Sequence, residues 1–290
     1  AQTSVVQDAS GESAYKIFGS AITINTSNEN ISFSDDHIKR ADSISFNTWG
    51  FSAKIAPNEG IANLKNNKGF LIDGQVGIYY GWKKAVPFGA IGWTHEKYIS
   101  INGSVDRSKL FNLNNVPNKI IYTKANPGYK IELGWFGYNA DWLCGISINA
   151  GKKTNVANIN QKVISKLVQS TNNDSISLVE NEYAFYRNEF KGSLTNVNFN
   201  ADFLYILTPK PPSTQIGTLL LGLHLRYQVL EKYKPKFNPA IGLYLSQVGA
   251  PQNVVIGLNL QLMDAFNVDK SDDSSRKRAS INLTAGFKLN

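Results

Sequence analysis

The sequence predicts an all-β fold, an antiparallel transmembrane β-barrel of about twelve strands, on three observations. Segments of about ten residues or more alternate apolar with small or polar residues, the period of a strand. Their polar face is built from Gly, Ser, Thr, Asn and Gln, with few charges. No apolar run reaches the ~18 residues that a transmembrane helix needs; the longest surrounds Leu219-Leu220-Leu221 and is soon broken by His224 and Arg226. A soluble sandwich also alternates, but its strands average about 5–6 residues and its wet face carries more charge. In hydrocarbon every backbone polar group must find a partner inside the protein, which strands achieve only as a closed sheet.

In chain order, turn signals delimit strands near 13–25, 43–56, 69–82, 87–100, 117–125, 128–138, 141–151, 194–207, 214–228, 237–248, 252–263 and 278–290. Ten or fourteen strands are the alternatives. An even count returns both ends to one side, the periplasmic side of a bacterial barrel. Residues 1–12 then form an N-terminal periplasmic tail, and 13–290 a single barrel domain. Asn139-Ala140, Pro209 to Ser213 and Gly249 to Pro251 are short and turn-like, whereas 26–42, 152–193 and 264–277 are long and polar. With these strands, all three long stretches fall on the outer face.

The alternation assigns faces. Leu219, Leu221, Leu223, Leu225 and Tyr227 look outward to lipid, as do Val197, Phe199, Ala201, Phe203 and Tyr205, and Val254, Ile256, Leu258, Leu260 and Leu262. Ile281, Leu283, Ala285, Phe287 and Leu289 repeat the pattern in the last strand. Trp49, Tyr80, Trp82, Trp135, Tyr138, Trp142, Tyr205 and Tyr227 gather near strand ends, where interfacial girdles sit. The inward set contains the cations Lys54, Lys130, Arg226 and Lys288, the anions Asp73, Glu132 and Asp202, and His224. Near balance of sign favours pairing across the lumen over a ladder that steers one kind of ion. Tyr79, Phe136, Leu204 and Tyr244 add bulk to the same interior.

Composition excludes several classes. One Cys and one Met rule out a disulfide scaffold, a Cys-rich zinc module and a Met-rich sensor surface. The net charge of +8 is scattered, and its densest run, Arg276-Lys277-Arg278, lies beside Asp272 and Asp273. This suits a soluble surface or anionic lipid, and nucleic acid is not expected as a partner. The opening Ala1-Gln2-Thr3 fits a mature end left by a peptidase that has removed an export signal. Without a Cys at position 1, the ordinary bacterial lipid anchor is not expected.

The segment from Ile281 through Asn-Leu-Thr-Ala-Gly-Phe-Lys-Leu to Asn290 resembles the closing strand of an outer-membrane barrel, with alternating apolar residues, a Gly and a late Phe287. Its last residue is Asn290 rather than the usual aromatic. The Ala-Gln start, the Asn-, Lys-, Ile- and Tyr-rich composition and the Gly-Phe-Lys-Leu ending are similar to outer-membrane proteins of the Bacteroidota. The resemblance spans the chain as a pattern, and its specific motif covers the last ~10 residues. It implies a class and an outer-membrane location, with outer-membrane lipid and lipopolysaccharide as surroundings, but no activity.

Catalytic and cofactor motifs are missing. There is no Gly-x-Ser-x-Gly elbow, His-Glu-x-x-His pair, phosphate loop or dinucleotide fingerprint. His224 faces the lumen, His95 sits in an ambiguous strand and His37 in a loop, and no Ser can be placed beside any of them to act as a nucleophile. Cys144 shares the lipid face with Trp142, Ile146 and Ile148 and reads as a small hydrophobe. Asp269, Asp272 and Asp273, like Asp35-Asp36, lack the Gly and Glu of a calcium loop and read as solvated. No enzyme activity, cofactor or metal is therefore expected.

The stretch 152–193 is too apolar for simple disorder. Val163, Ile164, Leu167 and Val168 come close to a helical stripe, and Tyr183, Phe185, Tyr186 and Phe190 follow. Loops of this length usually have a function: it either docks a partner, such as another envelope protein, or packs on its own rim. Two function classes stand nearly level, a structural or accessory barrel of an envelope complex and a narrow porin-like passive channel. An outer-membrane enzyme is a remote third.

Overall fold

The computed structural model describes residues 13–14, 21–25, 30–40, 45–57, 72–86, 92–111, 121–155, 159, 162–168, 178–207, 217–247, 250–268 and 278–288. Its strands are β1 (Ala21–Asn25), β2 (Asn30–Arg40), β3 (Ser45–Pro57), β4 (Ile72–Val86), β5 (Trp93–Phe111), β6 (Ile121–Tyr138), β7 (Trp142–Lys153), β8 (Lys162–Val168), β9 (Leu178–Tyr186), β10 (Leu194–Ile206), β11 (Thr218–Leu230), β12 (Lys236–Gln247), β13 (Ala250–Leu262) and β14 (Ala279–Lys288). Twelve of them close into an antiparallel barrel in the order β4-β3-β2-β1-β14-β13-β12-β11-β10-β7-β6-β5, and β5 pairs β4 to complete the ring. The remaining two, β8 and β9, form a hairpin that joins the barrel through a short parallel contact of β9 with β5.

The first and last strands pair with each other, Ala21 opposite Lys288, so both ends of the barrel wall lie on one side. We call this the near side; the connection 139–141 lies there. The 154–193 and 231–235 connections lie on the far side. At the near-side turn, Asn139 Oδ1 accepts the backbone N–H groups of Asp141 (2.9 Å) and Trp142 (2.7 Å), and its own N–H donates to the Trp142 carbonyl. This Asx geometry is what lets three residues reverse the chain.

The wall has the two faces that its period-two sequence dictates. On β11, Leu219, Leu221, Leu223 and Tyr227 are exposed, while Thr218, Leu220, His224 and Arg226 are buried inside. On β10, Phe199, Phe203 and Tyr205 point out, and Asn196, Asn198, Asn200 and Asp202 point in. Isoleucines and valines such as Val76, Ile78, Ile101, Ile131, Ile146 and Ile256 continue the outward band. Exposed Trp49, Trp82, Trp142 and Tyr205 lie toward the near ends of their strands, and Tyr227 toward the far end of its own. An apolar belt with a polar interior and a closed ladder is the arrangement hydrocarbon requires of strands.

Twelve strands were expected, but two of them are not the expected ones. Residues 30–40, assigned to an outer loop within 26–42, form β2 with Asp35, Asp36 and His37 inside the ladder. The charges made this segment read as solvated. In the structure the His37 ring lies tilted against Trp49 across the β2–β3 pair, centroids 4.4 Å apart, and 3.7 Å from Asp35. Conversely, 117–125 and 128–138 are not two strands: Asn126-Pro127-Gly128 is no turn, and β6 runs straight through it. Pro127 is tolerated because β7 first pairs at Tyr129, so at Pro127 the ladder has a neighbour only on the β5 side. The two errors cancel in the count.

Three smaller corrections share one cause, local polarity or packing overriding periodicity. The strand placed at 87–100 is β5, which continues to Phe111 with Asn102 and Ser108 buried inside. Of the strand placed at 13–25, Ala21–Asn25 form β1, Ser13 and Ala14 lie inside the lumen, and 15–20 lie outside the described residues. Val254, expected outside, is buried inside, because a bulge between β12 and β13 pairs Leu245 with Ile256 but Ser246 with Val254 and so reverses the parity below it. The turns at Pro209 to Ser213 and at Gly249, and Asp269, Asp272 and Asp273, lie outside the described residues.

Candidate functional site

The interior has two storeys. In the near-side half, Tyr98, Phe136, Leu143, Leu204, Leu220, Tyr244 and Val254 pack into one buried cluster, with Tyr138 and Ile206 against it. These side chains come from β5, β6, β7, β10, β11, β12 and β13. The bulk assigned to Phe136, Leu204 and Tyr244 thus lies in one body; Tyr79, also buried, serves a different strand pair.

Three tyrosines fill the interior over glycines. Tyr79 is the register partner of Gly50, Tyr98 of Gly134, and Tyr244 of Gly257. A Cβ at Gly134 would stand 2.2 Å from the Tyr98 ring, and one at Gly257 2.5 Å from that of Tyr244. Tyr244 also covers Gly222 and Gly242, on β11 and β12, at 2.6 and 2.7 Å from their ideal Cβ positions. The glycines supply room for rings to lie flat against the wall.

Beyond the cluster the interior is polar. Asn198 Nδ2 donates to Asn149 Oδ1 (2.8 Å), Asn200 Nδ2 to Ser147 Oγ (3.1 Å) and Gln228 Nε2 to Asn196 Oδ1 (3.0 Å). Where the two storeys meet, His224 Nδ1 lies 2.8 Å from Asp202 Oδ1, and its Nε2 meets the Tyr244 hydroxyl. A carboxylate only accepts, so Nδ1–H donates to Asp202, and Nε2 shares a hydrogen bond with the Tyr244 hydroxyl. Tyr98 Oη lies 3.0 Å from Glu132 Oε1 and 3.2 Å from the Ala14 carbonyl, and Lys130 Nζ is 3.9 Å from Glu132. Asp202 Oδ2 accepts from Ser13 Oγ (2.8 Å) and from the Ala14 N–H (2.7 Å).

Of the residues expected in the lumen, Glu132, Asp202, His224 and Arg226 are buried there, and Lys54 and Lys130 are half-buried on the inward parity. The side chains of Asp73 and Lys288 lie outside the described residues. Lys130 pairs with Glu132 along its own strand, and Asp202 bonds His224 of the neighbouring strand. Glu96, Tyr98, Gly145, Ser13 and Ala14 were not foreseen. The alternation of Glu96, Tyr98, Ser100 and Asn102 against Ile99 and Ile101 marked the first two; nothing in the sequence places Ser13 beside a residue 189 positions away. His95 is on the outward parity and Cys144 is a half-buried free thiol on the same face as Ile146.

The far rim is built by the 154–193 connection. Val163, Ile164 and Leu167 belong to strand β8, not to a helix, because Tyr183, Glu182 and Val179 of β9 offer them antiparallel partners; the side chains of these residues lie outside the described set. Phe185 packs with Leu110 and Phe190, and the Tyr186 ring lies tilted against Phe111, centroids 4.1 Å apart. Both rings therefore hold the hairpin to the tall end of β5 on its own rim. Glu231 stands on the same rim, where its carboxylate accepts the Thr195 backbone N–H at 3.0 Å; that bond holds its carboxyl below the usual range.

Asn155 fastens the two ends of the connection. Fully buried, it donates to the Glu189 carbonyl and to Tyr233 Oη, both at 2.8 Å, and accepts the Lys191 N–H at 2.7 Å. Replacing Asn155 by Ala leaves these groups without partners, at roughly 1–3 kcal/mol. We expect limited proteolysis near Arg187 and Lys191 to accelerate while the heat stability of the barrel stays unchanged. Equal loss of both would show that the rim and the wall unfold as one unit.

No family model matches the chain, and no curated protein matches it. Among solved structures, the NanC porin in a rhombohedral crystal form aligns over 94% of this chain and 100% of its own length, at 10% identity and a TM-score of 0.35. The barrel assignment rests on the strand pairing itself, which closes through β4 and β5.

Proposed function

We propose that this chain is an integral outer-membrane barrel that conducts little and serves, without enzymatic activity, as a structural or accessory subunit of an envelope complex. The near side faces the periplasm, the far side faces outward, and lipopolysaccharide and neighbouring envelope proteins are its partners. The observation that carries this reading is the filled lumen: an apolar cluster drawn from seven strands occupies the near-side half, and Ser13–Ala14 lie against Asp202 beside it. Barrels of about 8 strands are filled by side chains and 16-stranded ones hold a water channel; this reading takes the twelve-stranded barrel to behave like the smaller kind, and the apolar cluster supports it.

Planar-bilayer recording tests it. The purified protein is expected to insert and show only rare, small openings, and co-purification in mild detergent to retain a protein partner through the far rim. A large, stable and reproducible conductance would replace this reading with the second one, a narrow porin-like channel. That reading draws support from the polar far half of the lumen, where Lys130, Glu132 and Arg226 offer charges of both signs.

A further inference from the structure

We propose that the lumen carries a docking site, formed by Asp202, Tyr98 and Gly145, for this chain's own Ser13–Ala14, and that this contact is releasable. The proposal deepens the closed-lumen reading and rests on it. Asp202 is 2% exposed, and its two oxygens have separate duties. Oδ1 is held by His224 of the neighbouring strand, while Oδ2 accepts the Ser13 hydroxyl and the Ala14 N–H. Tyr98 stands on β5, on the other flank, its single hydroxyl proton shared between Glu132 Oε1 at 3.0 Å and the carbonyl of the same Ala14 at 3.2 Å. One residue is thus gripped at both of its main-chain polar groups, by side chains from strands that do not pair with each other.

The floor of the site is shaped for a backbone. Gly145 is the register partner of Asp202, and a Cβ there would stand 3.1 Å from both the carbonyl carbon and the oxygen of Ala14. Ala14 itself has no exposed surface, so the site admits a small residue such as Ala or Cys at that position and excludes a bulky one. Contact at 3.2 Å between the Phe136 Cβ and the same ideal position closes the other side.

Release follows from what the wall does not need. Barrel closure runs through β1, which starts at Ala21 and pairs with β14, so no ladder bond depends on Ser13 or Ala14. Their hold is a set of side-chain bonds, which open locally without unfolding the sheet.

The test places a thiol at position 14. In an Ala14→Cys, Cys144→Ser chain reconstituted in phospholipid vesicles, a charged, water-soluble maleimide should label the introduced thiol slowly in folded protein and fast after boiling in SDS. Adding Asp202→Ala should speed labelling of the folded protein about tenfold, the loss expected when a charged acceptor is removed. Gly145→Val, which keeps the carboxylate but fills the floor, should do the same; it covers the case in which the Asp202 variant fails to fold. Labelling of the parent at the boiled rate, or slow labelling that neither variant changes, would overturn the docking site. Conductance of the same parent separates the two proposals: a protected thiol in a freely conducting barrel leaves the docking site standing and removes the closed-lumen reading.

Discussion

Tyr244→Ala is expected to be among the most damaging single substitutions in this barrel, lowering stability by about 3–5 kcal/mol, as for other large buried rings. The ring is 1% exposed and covers three glycines, Gly222, Gly242 and Gly257, none of which can refill the space. It also leaves His224 Nε2 without its hydroxyl partner. Tyr244→Phe keeps the ring and loses the hydroxyl's bond to His224, so it should cost about 1–3 kcal/mol. The glycines predict the mirror experiment. Gly257→Val drives a side chain into the Tyr244 ring and should be as severe as the alanine variant. Gly103→Val should be close to neutral, because no atom lies within 4 Å of a Cβ there. Urea unfolding in lipid vesicles, followed by the mobility difference between boiled and unboiled samples, gives the order. Gly103→Val as harmful as Gly257→Val would mean that strand propensity, not ring packing, governs these positions.

Much of the wall was legible in the sequence because the two sides of a membrane barrel differ sharply in chemistry. In 219–227 every second residue is a leucine or a tyrosine, and the structure turns each described one outward. Legibility failed where that contrast weakens. β2 carries Asp35, Asp36, His37, Lys39 and Arg40 toward its near-side end, so its five-residue apolar signal was too faint to outweigh its charges. Pro127-Gly128 has turn chemistry, yet it lies where β6 has risen above β7, and a missing N–H costs nothing there. The bulge at Val254 left no local signal, because Val254, Val255 and Ile256 suit either face. His224, Asp202 and Tyr244 were each assigned inward by parity. That they touch depends on register: Asp202 is directly opposite His224, while Tyr244 reaches it diagonally from β12. Periodicity fixes a face but not an offset between strands. The placement of Ser13–Ala14 needed the assembled lumen, since no pattern within those residues marks a partner in β10.

The membrane assignment itself has a sharp consequence along one face of one strand. Leu223 sits at the middle of β11, 43% exposed, and Tyr227 sits four residues toward the far end with the same outward aspect and the same 43% exposure. In water, an exposed leucine and an exposed tyrosine would both tolerate arginine, and the two variants would be indistinguishable. In a bilayer their depths differ. Arginine at the midplane of a barrel costs about 2–4 kcal/mol and near the interface about 0–1. Leu223→Arg should therefore impair folding into lipid strongly, and Tyr227→Arg little beyond the loss of its tilted contact with Phe199. Register supports the depth difference, because Leu223 is flanked by Phe203 on β10 and Ile241 on β12, both exposed and apolar, whereas Tyr227 stands beside Phe237 near the far-side turn. Refolding yield and urea midpoints in vesicles measure both variants. Equal effects at the two positions, or a larger one at Tyr227, would mean that the apolar belt is not centred where the exposed leucines place it.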